Sequence, residues 1–102
     1  MRFGFVMRIK PGSEEEYRRR HRAVYPELLE TFSRLGIREY SIFMDGTLLF
    51  GYWQIDGEIE AVMRALHDDP ANRRWQEHMR PLMLPWDDGD VVRMLPEVFF
   101  HR

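Results

Sequence analysis

Tyr17 and His21 stand one helical turn apart and pair a phenol with the side chain that serves as both acid and base near neutral pH. Proton transfer on an uncharged or weakly charged small molecule is the chemistry such a pair can do. Its segment has a well-marked start. Ser13 followed by Glu16 fits a capping box, and Glu14, Glu15 and Glu16 favour the positive end of a helix. A helix is therefore expected from Ser13 or Glu14, carrying Tyr17, His21 and Leu28 on one stripe with Val24 and Tyr25 beside it. Pro26 cannot donate to the carbonyl of Arg22, so the helix should kink or restart there, bending around a cavity.

The other chemical classes find little support. His67, His78 and His101 lack the spacings with each other or with carboxylates that bind metals, and no Gly-rich phosphate loop or G-x-S-x-G elbow is present. With no cysteine there is no thiol nucleophile, disulfide framework or thiolate metal site. Fifteen basic and 17 acidic residues leave a formal charge of -2, which argues against a nucleic-acid partner. The run Arg18, Arg19, Arg20, Arg22 resembles a phosphate clamp, but glutamates four residues earlier make it read better as a solvated helix face. Tyr40, Tyr52, Trp53, Trp75 and Trp86 are core-packing residues by default, although the same side chains can stack on a pyranose and bond its hydroxyls. Glu97, beside an apolar strand end, either turns inward or takes an edge position in water.

The elements that must position these residues follow from periodicity. Phe3, Phe5, Met7 and Ile9 alternate with Arg2, Gly4, Val6 and Arg8, predicting a strand that ends at Pro11-Gly12. After the first helix, a second half from Pro26 runs through Leu28, Leu29, Phe32 and Leu35 to a stop at Gly36. Residues 37–44 and 47–55 form antiparallel strands joined at Asp45-Gly46, with Asp56-Gly57 closing the hairpin. Ile59, Val62, Met63 and Leu66 share a helix face, and Asp69-Pro70 starts a further helix with Trp75, Met79 and Leu82. Pro81, Pro85 and Asp87-Asp88-Gly89-Asp90 mark a loop, and Val98, Phe99 and Phe100 are expected to form the last strand.

This order predicts one α+β domain over residues 1–102, a ferredoxin-like split βαβ antiparallel sheet with helices on one face. The first and third strands are apolar on both sides, whereas a sheet with one wet face should alternate. Either a second copy of the chain covers the outer face or loops close a ligand cavity there; a homodimer packed sheet to sheet is expected. The first ten residues lack a secretory signal pattern and no apolar run is long enough to span a bilayer, so a cytoplasmic protein without a membrane partner is expected.

The run Glu15-Glu16-Tyr17-x-Arg19-Arg20-His21, then Pro26-Glu27-Leu28, Tyr40-Ser41-Ile42-Phe43, Arg74-Trp75, Met79 and the closing Pro96-Glu97-Val98-Phe99-Phe100 resemble the L-rhamnose mutarotases, in order and over nearly the whole chain. The resemblance implies a cofactor-free dimeric α/β barrel, an isomerase that interconverts the α and β anomers of L-rhamnose. It implies His21 as the catalytic proton donor and Tyr17, Tyr40 and Trp75 as sugar contacts. Members of that family often carry a second tryptophan directly after the first. Here Gln76 stands instead, able to bond a sugar hydroxyl but not to stack as broadly.

On this reading His21 protonates the ring oxygen while water or a second polar group takes the anomeric proton, and Tyr17 and Tyr40 hold the sugar. Two rivals share the fold or the cavity. One is a cofactor-free monooxygenase or heme-binding dimeric barrel, and the other is a non-catalytic small-molecule binding module.

Overall fold

Alternation in the first segment builds the centre of a sheet. In the computed structural model, which describes residues 1–102, β1 (Arg2–Arg8) lies between β3 (Leu48–Ile55) and β4 (Arg93–Leu95), and β2 (Ile37–Asp45) forms the far edge. All pairings are antiparallel in the order β2-β3-β1-β4, so β3 separates β1 from β2 as a split βαβ unit requires. The helices are α1 (Glu14–His21), α2 (Pro26–Arg34), α3 (Ile59–Asp68) and α4 (Pro70–Met79), followed by a 3₁₀ turn at Arg80–Leu82. No helix is long and apolar enough to cross a membrane.

The register decides which side chains meet the helices. Phe3 pairs with Trp53, Phe5 with Gly51 and Met7 with Leu49, while Tyr40, Ile42 and Met44 oppose those same β3 residues from the other side. One face therefore collects Phe5, Met7, Ile9, Leu49, Trp53 and Ile55, all buried, together with Leu28, Val62, Leu66, Trp75 and Met79 from the helices. Gly51 makes this possible at the sheet centre. A Cβ there would lie 2.2 Å from the Phe5 ring, so the ring occupies the space a side chain would fill.

The opposite face carries Phe43 and Phe50, 62% and 41% exposed, with their rings 6.5 Å apart. Leu48 and Leu95 are exposed on the same side. A four-stranded sheet with helices on one face is thus the observed fold, and the outer face is apolar as its sequence pattern requires.

Several expectations need correction. Helix α1 does begin at Glu14 after Ser13, but the capping box does not form, because Ser13 makes no side-chain cap. Glu16 bonds instead to Arg19 and to Arg20 (2.7 Å), and Glu14 turns back to the Gly12 N–H at 2.8 Å. Charge-assisted bonds to guanidinium outweigh a bond to one backbone N–H. The expected restart at Pro26 does form, with extended Tyr25 as the cap of α2; α1 itself already stops at His21. Val24 and Tyr25 are linker residues.

The last strand is Arg93–Leu95 and not Val98–Phe100, of which Val98 and Phe99 are 93% and 81% exposed. Pro96 has no N–H to continue a ladder. Arg2 then holds the tail, reaching Glu97 at 3.2 Å and lying 3.2 Å from the Phe100 ring centroid. Glu97 takes the solvated edge position.

The Asp69-Pro70 signal forms as expected. Asp69 accepts from the Asn72 N–H at 2.9 Å and also stands 3.2 Å from buried Thr31 Oγ1 of α2, tying the start of α4 to α2. Glu27 and Arg74 add a second tie at 3.1 Å. Together these ties seat Trp75 against the restarted helix.

Candidate functional site

Two neighbouring cavities open between the helices and the sheet. The first, about 490 Å³, is lined by Tyr17, His21, Arg18 and Arg22, by Val24 and the α2 residues Leu28, Leu29 and Phe32, by Tyr40, Ile42 and Met44 of β2, and by Trp75. The second, about 340 Å³, is lined by sheet residues including Phe5 and Trp53 and by His67, Asn72, Trp75 and Gln76. Phe32, Tyr40 and Trp75 belong to both and form the wall between them. Both linings are mostly apolar with few polar groups, the composition of a small-molecule site.

His21 is held from three directions. Its ring stacks on Tyr17 at 4.2 Å and 26°, and meets Trp75 edge to face at 5.2 Å and 88°. Its Nδ1 lies 3.0 Å from the Tyr17 carbonyl. A carbonyl only accepts, so Nδ1 carries the proton and the neutral ring keeps its lone pair on Nε2. Burial lowers the His21 pKa below its ordinary value of 6.5, opposed by that bond to Tyr17, so the neutral form predominates at pH 7.

The phenols behave in the opposite sense. Burial raises Tyr17 well above the ordinary phenol, and the nearby Tyr40 adds to the effect. Burial pushes Tyr40 up to about 12, with Trp53 acting against it. Both stay protonated near neutrality as hydrogen-bonding hydroxyls. About a third of Tyr40 is reachable by solvent, and that part lines the cavities.

Of the residues singled out in the sequence, His21, Tyr17, Tyr40 and Trp75 share the first cavity, although they come from α1, β2 and α4. Gln76 stands apart from His21, in the second cavity beside Asn72, whose Oδ1 it approaches at 3.4 Å. Phe32 was not singled out, though its place on the α2 apolar stripe points inward with Leu28. Trp53 was noted only as an aromatic; counting in twos from Leu49 puts it on the Tyr40 face. The arginine run forms the expected glutamate pairs, Glu15–Arg18 at 2.6 Å and Glu16–Arg20 at 2.7 Å, but only in part a solvated face: Arg20 is largely buried and donates to the His78 carbonyl, and Arg18 and Arg22 edge the first cavity. Arg19 and Arg20 hold the Glu16 carboxyl down to about 2. No group of three or more His, Cys, Asp or Glu side chains converges as a metal site would.

A family model described as L-rhamnose mutarotase matches residues 2–101. Among curated proteins, the L-rhamnose mutarotase of Pectobacterium atrosepticum is 41% identical, covering 98% of this chain and 97% of that protein. The L-rhamnose mutarotase of Brucella anthropi is 34% identical over 98% of this chain and 94% of its own length. Among solved structures, the L-rhamnose mutarotase of Formosa agariphila superposes with a TM-score of 0.84 at 28% identity, covering 100% of this chain and 99% of that one. The tetracenomycin F2 cyclase of Streptomyces glaucescens shares the fold alone, at a TM-score of 0.64 and 18% identity over 100% of this chain and 96% of that one. The sequence match runs through the segments that build the His21 cavity and continues to the end of the sheet, and on that basis the chain belongs to the L-rhamnose mutarotase family.

Proposed function

We propose that this chain, as one domain over residues 1–102, interconverts the α and β pyranose anomers of L-rhamnose by acid/base ring opening and closure without a cofactor. The observation that carries the reading is the His21 cavity wall, where an imidazole of fixed tautomer lies between a phenol and an indole, in a chain of this family. A 6-deoxy sugar has an apolar methyl and C–H face as well as hydroxyls, and a mostly apolar cavity with a few hydroxyl and imidazole groups suits it.

In this reading His21 moves the proton. Its neutral Nε2 takes the proton of the anomeric hydroxyl, and the imidazolium so formed passes it to the ring oxygen as the C1–O bond breaks. The two oxygens share one carbon, so a single nitrogen reaches both. The C1–C2 bond turns in the free aldehyde, and the same transfers run in reverse on the other face. His21 is then the donor to the ring oxygen, the role the resemblance implies, and also the acceptor. Tyr17 and Tyr40 hold sugar hydroxyls, Trp75 presents a stacking face, and Gln76 bonds a hydroxyl across the aromatic wall. No metal, redox or other cofactor is needed for these steps.

The finer assembly is a homodimer packed through the outer sheet face as a dimeric α/β barrel. The exposed Phe43, Phe50, Leu48 and Leu95 support it, since single monomers rarely leave such a contiguous apolar face in water. A cytoplasmic location, with no membrane or nucleic-acid partner, completes the reading. The near-balanced charge supports the absence of a nucleic-acid partner.

Exchange NMR of L-rhamnose beside a small panel of other aldoses, L-fucose among them, tests the activity. Anomer exchange well above the spontaneous rate is expected for L-rhamnose. Rates no faster than buffer for every sugar would overturn the reading.

A further inference from the structure

Buried donors without acceptors are rare, and each calls for a reason. Trp53 Nε1 is such a donor: the residue is 8% exposed, its nitrogen has no accessible surface and no hydrogen-bond partner. The other buried orphan, Arg8 Nε, belongs to a guanidinium already engaged by the Pro85 carbonyl and by the face of Trp86 at 4.3 Å. The Trp53 indole has no second donor to compensate.

Its surroundings hold it still. Trp53 stands directly across the β2–β3 ladder from Tyr40, with ring centroids 5.6 Å apart at 80°, and Phe5 packs on it at 5.1 Å. Phe5 in turn occupies the space above Gly51, so the indole is wedged at the centre of the sheet. Tyr40 is the polar neighbour. Its ring stands across the ladder from the indole, 5.6 Å between centroids, and the Trp53 N–H makes no hydrogen bond to its hydroxyl as the rings stand.

We propose that Trp53 is a positioning residue for Tyr40: its indole N–H donates to the Tyr40 oxygen when sugar is bound, so that the Tyr40 O–H points at a sugar hydroxyl. An O–H that accepts one bond has its proton turned away from that donor and becomes a stronger donor itself. The arrangement also removes the cost of the orphaned N–H on binding, coupling sugar affinity to the sheet. The inference rests on the reading of Tyr40 as a sugar contact.

Indole N–H resonances of the full-length protein, followed while L-rhamnose is added, test it. Trp53 is assigned through its NOEs to the Tyr40 ring, and Trp75 serves as the reporter of sugar binding. The Trp53 N–H is expected to move downfield on binding in the wild type and to stay in place in Tyr40→Phe, where the ring remains and the acceptor is gone. A Trp75 response without a Trp53 response, or a Trp53 shift that persists in Tyr40→Phe, overturns the proposal and leaves the sugar site standing. No response from either indole overturns the sugar site as well. In affinity measurements Trp53→Phe should weaken L-rhamnose binding about fivefold, the effect of one neutral hydrogen bond. In the Tyr40→Phe background it should change affinity by roughly twofold or less. An equal loss in both backgrounds marks a purely structural role and counts against the proposal.

Discussion

The His21 ring stacks on Tyr17 at 4.2 Å while its Nδ1 donates to the carbonyl of that same Tyr17 at 3.0 Å. One helical turn thus sets the plane of the imidazole and its tautomer together, leaving Nε2 as the working nitrogen. His21→Ala removes that nitrogen without opening the main core, in which the half-buried His21 takes no part. Anomer exchange of L-rhamnose is expected to fall about 10²- to 10⁴-fold, with circular dichroism unchanged. Near-normal exchange by saturation-transfer NMR would take His21 out of the role.

The pH dependence follows from the direction of the His21 shift. The lowered pKa keeps the ring neutral through pH 7, and protonation removes the Nε2 lone pair. Catalysed exchange, corrected for the spontaneous reaction, should be level near neutrality and decline only below pH 6.5. Stability has the same sign. The unfolded histidine binds its proton first as pH falls, so the contribution of neutral His21 is complete above 6.5 and diminishes down to the folded value. A rate that rises on acidification would instead assign the chemistry to an imidazolium acid in the resting protein.

Tyr40 acts on the alkaline side. Its folded pKa is raised from 10.0 to about 12, so its contribution to stability is complete below 10 and is lost as pH rises toward 12. Thermal unfolding followed from about pH 9 to 11 should show a shallower alkaline decline in Tyr40→Phe than in the wild type. Equal slopes would mean that burial of the hydroxyl is not felt by the fold.

Gly51→Ala tests the packing under the site. The added Cβ would lie 2.2 Å from two Phe5 ring carbons, forcing Phe5 and with it Trp53 to move. Overpacking of this kind costs about 1–3 kcal/mol, measurable as a lower urea midpoint. Sugar affinity should drop as well, because the Phe5 ring also stands edge-on to Tyr40, with centroids 6.1 Å apart.

For the outer sheet face the expected behaviour is dimerisation. Sedimentation at micromolar concentration should give a dimer for the wild type and a monomer for the double variant Phe43→Glu, Phe50→Glu, whose charges would face each other across the contact. A wild-type monomer would show that the apolar face is not covered by a second copy.

The sequence by itself determined the order of elements, the apolar faces and the pairing of Tyr17 with His21, because those depend on neighbours within a turn or a strand. Alternation from Phe3 to Ile9, the Asp45-Gly46 turn and the Asp69-Pro70 start are local signals, and they formed where they stand. Competition was not legible. Glu16 had the serine N–H and two guanidinium groups to choose from, and charge decided for the arginines. The closing Val98-Phe99-Phe100 had strand composition, but β1 pairs only with Arg93, Met94 and Leu95 before Pro96 ends the ladder. The tertiary structure alone decided that Tyr40 and Trp75 line one cavity with His21, since β2, α4 and α1 are brought together by sheet register and by the ties of Asp69 and Glu27 to their partners. The step of about 100° between adjacent helical residues turns Gln76 away from the His21 cavity, and the packing of α4 beside the sheet leaves it in the second cavity, which Trp75 also lines.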